Sequence, residues 1–320
     1  MFNTLVGRFG GFAGIGGLSQ FEILSPAPLA EIVDISATRQ FATNGNNPQI
    51  YVVRSGDSGL VQVDAWGGGG QFFPASNPPG QSPGIVAGGG GGYVQGDVSL
   101  QSDQLYKILA AGRHGRMSGI FLMAPTSPYT DLSPTLDTAL LIAAGGGSAG
   151  PPSQNSKNDD YGGGGGYPAG DNGGRSNSGF GGVVAQGGTQ VAGGAGGIRN
   201  AGHGSPSAQA NPGVQYRGGN QNPAAGTPKE ISGGGGGTDG AGGDGWYGGG
   251  QGSPRVGHPS QSRGGGGGGS SYYNASYVTN FSHESGTTSK DGGEGGGQPS
   301  PLWSSYGNQG NPGAFFIKSI

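Results

Sequence analysis

The chain has 320 residues, of which 80 are glycine, 22 are proline and none is cysteine, and its net charge is −3. Only 10% of the residues are charged, so long-range electrostatic attraction to nucleic acid or to an anionic membrane is excluded as a main role. Without cysteine the chain has no disulfide, thiolate metal site or thiol nucleophile. No apolar stretch reaches the roughly 18 residues of a membrane span.

Residues 1–44 match no pattern of a folded domain. A secretory leader has a basic start, a compact apolar core and a small-residue cleavage site. The first twelve residues instead dilute their apolar side chains with glycine and carry a single arginine, Arg8. We interpret 1–44 as an N-terminal arm that docks on a partner, with a frayed terminus as the alternative, and 45–320 as one domain.

The remainder of the chain carries short apolar segments that are typical of β-strands. Residues 61–66 alternate apolar and polar side chains, as a half-buried strand does. Residues 139–144 are continuously apolar, which predicts a strand buried on both faces. No segment sustains a helical period. The predicted strands are 49–53, 61–66, 93–100, 105–111, 139–144, 270–278 and 314–320. This pattern favours an antiparallel β-sandwich, or a jelly-roll-like barrel, with few or no α-helices.

Glycine runs occupy 67–70, 88–92, 162–166, 233–237 and 264–269. Collagen is excluded because the runs break the Gly-X-Y period. An arginine–glycine RNA-binding tract would be basic, and the net charge is −3. A disordered Gly/Ser linker remains the main alternative. However, the runs at 67–70, 88–92 and 264–269 directly follow or precede predicted strands, which a linker has no reason to do.

An ordered structure of glycine runs is the polyglycine II helix. It has three residues per turn and no internal hydrogen bonds, so its N–H and C=O groups point outward and need partners when they are buried. Helices packed side by side supply those partners, and only glycine allows the close approach. We therefore predict a bundle of polyglycine II helices, inserted into the sandwich at about 145–270. Ordering 80 glycines costs on the order of 100 kcal/mol. Burial of the apolar side chains cannot offset this cost, so we expect further burial between subunits of an oligomer.

The order of these motifs resembles two groups of proteins. Residues 61–70 run from a strand into glycines, 88–94 run from glycines into a strand, 140–147 end in Ala-Ala-Gly-Gly-Gly, and 264–272 lead from glycines into Ser-Ser-Tyr. This order resembles the glycine-rich ectodomain of the anaplastic lymphoma kinase family and the glycine-rich module of bacteriophage tail and fibre proteins. The resemblance implies a β-sandwich with packed polyglycine II helices. The receptor version normally has cysteines and a following membrane span. Both are missing from this sequence, so the likeness favours the viral version.

No motif in the chain predicts catalysis, a cofactor or a metal. Gly-x-Gly-x-x-Gly recurs only because glycine is frequent, and no Gly-Lys pair exists for a phosphate-binding loop. Residues 234–239 match part of a calcium β-roll repeat, but in a single copy. The four histidines show no ligand spacing. Asn274 and Asn280 are in glycosylation sequons, which matter only in a glycosylating compartment.

Aromatic residues in the glycine-rich region are the candidate recognition surface. A flat ring beside small residues suits a sugar ring or a partner side chain. The alternative is that the rings only cover the glycine layers. The candidate residues are Tyr161, Tyr167, Trp246, Tyr247, Tyr272 and Tyr273.

From these patterns we expect a non-enzymatic structural protein of a virus particle. It would be a minor capsid or vertex component, or a tail-fibre or adhesin subunit. The expected partners are other virion proteins and further copies of the chain, with a host surface glycan or receptor as a possible ligand, but no nucleic acid. The alternative is a ligand-binding ectodomain module at the cell surface.

Overall fold

A computed structural model describes residues 20–25, 31–41, 43, 48–74, 85–150, 161–174, 183–199, 208–219, 240–253, 264–287 and 311–320. All regular elements in these ranges are β-strands and none is a helix, which confirms the predicted all-β class. The strands are β1 (Gln20–Ser25), β2 (Glu31–Asp34), β3 (Arg39–Phe41), β4 (Gln49–Ser55), β5 (Gly59–Trp66), β6 (Phe73–Pro74), β7 (Ile85–Val86), β8 (Tyr93–Leu100), β9 (Leu105–Ala110), β10 (Ser118–Leu122), β11 (Thr138–Ala143), β12 (Ile198–Arg199), β13 (Ala208–Gln209), β14 (Tyr272–Tyr273), β15 (Val278–Glu284) and β16 (Ala314–Ser319).

Two antiparallel sheets form a sandwich. The larger has seven strands in the order β14-β11-β10-β9-β4-β1-β2, and the smaller has five in the order β15-β8-β5-β16-β3. The pairs β6–β7 and β12–β13 form two small additional sheets. Alternation decides which side chains face inward, because successive residues of a strand point to opposite faces. On β5, Val61, Val63 and Ala65 are fully buried, whereas Gln62 and Asp64 are only partly buried.

The core between the sheets takes side chains from both of them. Val63, Val98 and Phe315 from the five-stranded sheet belong to one buried cluster with Ile108 and Leu141 from the seven-stranded sheet. Burying such side chains contributes about 1.5–3 kcal/mol each. This core is therefore the conventional hydrophobic part of the molecule.

Strand β11 is buried on both faces, as its sequence predicted. Leu141 belongs to the core between the sheets. Its neighbour Ile142 belongs to a second cluster with Phe121 and Tyr216, on the other face of the seven-stranded sheet. Tyr216 comes from the glycine-rich part of the chain, so that part covers the outer face of this sheet.

The structure differs from the sequence prediction in several elements. Strands β1 and β3 lie within the range assigned to the N-terminal arm, yet β1 pairs with β4 and β3 pairs with β16. The sheets therefore take strands from both sides of residue 44. Residues 1–19 lie outside the described residues. The single strand predicted at 270–278 is two strands in two different sheets, separated by a turn at 274–277. Strand β10 was not predicted.

Candidate functional site

The glycine-rich segments gather beside the sandwich in one hydrogen-bonded body, which we call the glycine bundle. Its main segments are 67–70, 87–92, 144–149, 161–166, 240–252 and 264–270, none of which belongs to a named strand. Several continue directly from sandwich strands: 67–70 follows β5, 144–149 follows β11, and 264–270 leads into β14. The strands therefore fix where the segments begin. The run at 233–237 lies outside the described residues.

Segment 264–270 shows how the segments are held together. Its successive N–H groups donate to three different neighbours, and residues three apart donate to the same neighbour. Gly266 and Gly269 donate to the carbonyls of Ser148 and Gly145, Gly267 and Ser270 donate to those of Gly250 and Tyr247, and Gly268 donates to that of Asp171, all at 2.9–3.0 Å.

The carbonyl groups of the same segment also accept from three directions, and residues three apart again share one neighbour; segment 240–252 takes part in both sets of bonds. Gly163 and Gly166 donate to the carbonyls of Gly266 and Gly269, Gly243 and Trp246 donate to those of Gly267 and Ser270, and Gly188 donates to that of Gly268. Each of residues 266–270 thus has both its N–H and its C=O bonded to another segment. A buried backbone with both groups paired carries no desolvation penalty for orphaned polar groups.

The repeat of three recurs in segment 144–149, which follows β11. Its residues three apart again share one neighbour. Gly145 and Ser148 donate to Asp244 and Ala241, Gly146 and Ala149 donate to Gly68 and Gln71, and Ala144 and Gly147 accept from Gly92 and Gly89. A strand of a sheet has only two neighbours, one on each side. The bundle segments instead pair in several directions around their axes.

The side-chain-free backbone is a steric requirement of this packing. A Cβ added to Gly268 would meet the carbonyl oxygen of Gly164, and one added to Gly249 would meet that of Gly267, both well under 3.0 Å. By contrast, nothing lies within 4 Å of a Cβ on Gly56, which is in the turn between β4 and β5. Backbone packing thus excludes side chains at these bundle positions but not at the β4–β5 turn.

The candidate aromatic residues fall into two groups. Three of them, Trp246, Tyr247 and Tyr272, form the Trp246 cluster. The rings of Trp246 and Tyr272 stack with centroids 4.2 Å apart, and Tyr247 meets the indole edge-on at 5.8 Å. The Trp246 Nε1–H donates to the carbonyl of Gln190 at 3.1 Å. Tyr216 lies against Trp246 and against Phe121 of β10.

The other group lies on the opposite face of β14, because Tyr272 and Tyr273 are consecutive in a strand. Tyr273 stacks on Phe281 of β15 at 4.1 Å, and Tyr167 meets the rings of Phe281 and His283 at 5.2 and 4.9 Å. Phe281 and His283 were not among the candidate residues, since only the pairing of β15 brings them to Tyr167. Tyr161 has no ring contact within the described residues.

Burial perturbs two phenols here, those of Tyr272 in the Trp246 cluster and of Tyr216 beside it. Burial away from water raises the pKa of the Tyr216 and Tyr272 hydroxyl groups above the ordinary phenol value. Both groups therefore stay neutral at physiological pH. Because each ring is in contact with another ring, these residues act in the structure as packing between the glycine bundle and the sheets.

Two buried ion pairs complete the polar interior. The Lys107 ammonium contacts the Asp137 carboxylate at 2.7 Å, Ser127 Oγ at 2.7 Å and the Asp131 carbonyl at 2.6 Å, so each of its three N–H groups has an acceptor. It ties the long loop between β10 and β11 to β9. Arg116 lies 3.5 Å from Asp244 and joins the β9–β10 turn to the bundle. Burial raises the pKa of Asp244, and the nearby Arg116 opposes that shift.

No cluster of three or more histidine, aspartate or glutamate side chains suited to a metal ion occurs among the described residues. Within the same ranges, no helix has the length and apolarity to cross a membrane. No protein-family model matches the chain, and no curated protein matches it.

Proposed function

We propose that the chain is a non-enzymatic structural protein of a virus particle, in which packed polyglycine II helices form a rigid scaffold for assembly or attachment. The observation that supports the proposal is the repeat of three in the hydrogen bonds of segments 144–149 and 264–270. A helix with three residues per turn and outward-facing backbone groups produces this repeat when it is surrounded by others.

Rigidity is the property that such a bundle would contribute. Fixing a residue costs about 1–2 kcal/mol of backbone entropy, with the largest loss for glycine. In residues 266–270 hydrogen bonds to several neighbouring segments at once offset this entropy cost. A segment cannot open alone without breaking bonds to all of them. A particle component that transmits force or holds a fixed spacing needs this property.

Within a particle, the protein would be a minor capsid or vertex component, or a tail-fibre or adhesin subunit. The resemblance to glycine-rich phage tail and fibre modules supports this assignment. Its partners would be other virion proteins and further copies of the chain. The bundle would support these contacts and would not take part in any reaction.

Two measurements test the proposal. Quantitative mass spectrometry of purified particles should find the chain at a fixed ratio to the major coat protein, and its presence only in the soluble host fraction would remove the virion role. Amide hydrogen exchange should be slow throughout 264–270. Amide exchange in 264–270 as fast as in an unstructured peptide would contradict the scaffold role.

An ectodomain module is the second candidate, and the position of the sequons supports it. Asn280 is exposed on β15, and Asn274 is partly exposed in the turn before it. Intact-mass analysis of material from the native source that showed N-linked glycans at these residues would favour this role over the virion role.

A further inference from the structure

The outer face of the five-stranded sheet carries polar side chains beside a small aromatic cluster of Trp66, Tyr93 and Phe316. The register aligns its outward side chains in rows that cross the strands. One row runs Ser282–Gln95–Asp64–Phe316, and the next runs Thr279–Asp97–Gln62–Lys318. Neighbouring strands lie about 4.8 Å apart, so each row spans about 14 Å. We call Gln62, Asp64, Gln95, Asp97, Asn280 and Lys318 the polar face.

Hydrogen bonds within the polar face fix its carboxylates in place. Asp64 Oδ1 accepts from the Tyr93 hydroxyl at 2.6 Å and from Gln95 Nε2 at 2.8 Å. Asp97 Oδ2 accepts from Asn280 Nδ2 at 2.7 Å. In the described structure, each carboxylate thus uses one oxygen for internal bonds and keeps the other for a further donor.

The amides are held in the same way. Gln95 and Asn280 each use an NH₂ group internally, so their carbonyl oxygens stay available as acceptors. Gln62 and Lys318 add donors in the middle and at one end of the second row. The result is a flat array of oriented acceptors with interspersed donors. Because four of its six members, Asp64, Gln95, Asp97 and Asn280, are already held, a ligand would lose little free energy in ordering them.

The donors and acceptors of the polar face favour one class of ligand over others. A protein partner usually places an apolar patch at the centre of the interface. On this face Trp66 and Phe316 are only 1% and 3% exposed, and the exposed apolar residues, Leu60 and Ile320, lie at the edge of the polar face, beyond Gln62 and Lys318. Nucleic acid would bring phosphates against Asp64 and Asp97. A neutral saccharide presents many hydroxyl groups, each of which is both donor and acceptor, and it meets no charge repulsion.

We infer that the polar face binds a neutral saccharide through hydrogen bonds to Asp64, Gln95, Asp97 and Gln62. The inference specifies the attachment role proposed above and rests on it for its biological meaning. The binding itself is a property of the isolated protein. It therefore fails or holds separately from the mass-spectrometric test of the particle.

The experiment uses the full-length protein and an array of immobilised hexasaccharides of glucose, galactose, mannose and N-acetylglucosamine, with sialylated and sulfated sugars for comparison. At least one neutral sugar should bind, and the acidic ones should bind more weakly because of the two carboxylates. Binding to no neutral sugar, or a preference for the acidic ones, contradicts the inference.

Variants then locate the site. Gln62→Ala, Gln95→Ala and Asp97→Asn should each weaken binding of the selected sugar by about tenfold, the equivalent of one or two hydrogen bonds. The matched control is Gln209→Ala, since Gln209 is an exposed glutamine on β13 in the glycine-rich region. It should leave affinity unchanged.

Near-ultraviolet circular dichroism checks that each variant is folded. Unchanged affinity in the Gln62, Gln95 and Asp97 variants would place the sugar elsewhere. Loss of affinity in a folded Trp246→Ala variant with normal affinity in these three would assign the ligand to the Trp246 cluster and overturn the inference.

Discussion

The sandwich and the glycine bundle must both pair their backbone hydrogen-bonding groups and exclude water from their interiors, and they do so by opposite means. In the sandwich, strands pair their backbones with two neighbours and side chains such as Val63 and Leu141 exclude water. In the bundle, the backbone itself forms the contact surface, and a segment such as 264–270 pairs in several directions. The comparison shows that a close-packed interior does not require large side chains. Without them, every contact depends on backbone position.

This difference predicts different responses to mutation. A sandwich core loses stability when a side chain becomes smaller, because a cavity remains. The bundle loses stability when a side chain becomes larger, because the obstacle is another backbone that cannot rotate away. The following predictions test where each rule applies.

The largest effect is expected at Lys107, because the sandwich depends there on a buried charge. Lys107→Met leaves the Asp137 carboxylate buried without its cation. We expect a loss of about 3–5 kcal/mol in the free energy of unfolding, measured by urea denaturation. Arg54→Met is the control, since it breaks the exposed pair with Glu22 and should cost less than about 1 kcal/mol. Equal losses in the two variants would show that Lys107 is not an anchor.

Gly268→Ala should cost about 3 kcal/mol, at the upper end of overpacking effects, because the new methyl group meets the Gly164 carbonyl. Gly56→Ala is the matched control. It has open space and should be neutral or stabilising by about 0.4–1 kcal/mol.

Gly96→Ala tests the boundary between the two rules. Its methyl group would meet Cγ1 of Val278 at 2.6 Å, and a side chain can move where a backbone cannot. We expect a smaller loss than for Gly268→Ala, about 1 kcal/mol, in the same denaturation assay. A cost at Gly96 as large as that at Gly268 would contradict the proposed difference between the regions.

Trp246→Ala tests the junction between bundle and sheets. The change removes the stack on Tyr272 and the bond to Gln190, and we expect a loss of about 2 kcal/mol for this half-buried ring, measured as a lower urea midpoint. Val191→Ala in the neighbouring turn serves as control, since Val191 is 82% exposed and should change stability by less than about 0.5 kcal/mol. Similar midpoints for both would mean that the ring does not hold the junction.

The smallest effect is a pH dependence at His114, in the turn that enters the bundle. Burial, then Arg116 and Arg113, lower the pKa of His114 below its ordinary value of 6.5. His114 therefore takes up a proton more readily in the unfolded chain than in the folded chain. The free energy of unfolding should accordingly decrease as the pH falls below about 6.5.

His114→Asn should remove part of this decrease, and asparagine suits the positive φ of 66° at this position. The measurement is the melting temperature between pH 5 and 8. An identical pH profile in the variant would exclude His114 as the source.

Much of the sandwich could be predicted from the sequence because its signals are local. Alternation in residues 61–66 defines β5, and the apolar run at 139–144 defines a strand covered on both faces. The split of 270–278 into β14 and β15 was not predictable in this way. The residues are good strand formers throughout, and only pairing with β11 on one side and β8 on the other divides them between sheets.

The candidate site shows the same limit. Composition indicated that aromatic residues in the glycine-rich region matter, but not which rings meet. Trp246 and Tyr272 are 26 positions apart and stack only because segments 240–252 and 264–270 lie side by side. The polar face was not predicted at all, because its rows depend on the register of four strands that are distant in sequence.

The sequence by itself determined that this chain forms β-strands and that several of its glycine runs begin or end at them, because strand periodicity and the absence of side chains are properties of single segments. Only the tertiary structure decided which glycine segments are neighbours, which face each aromatic ring covers and which polar residues share a surface. Those outcomes depend on hydrogen bonds between distant segments, and glycine carries no side chain to specify its partner.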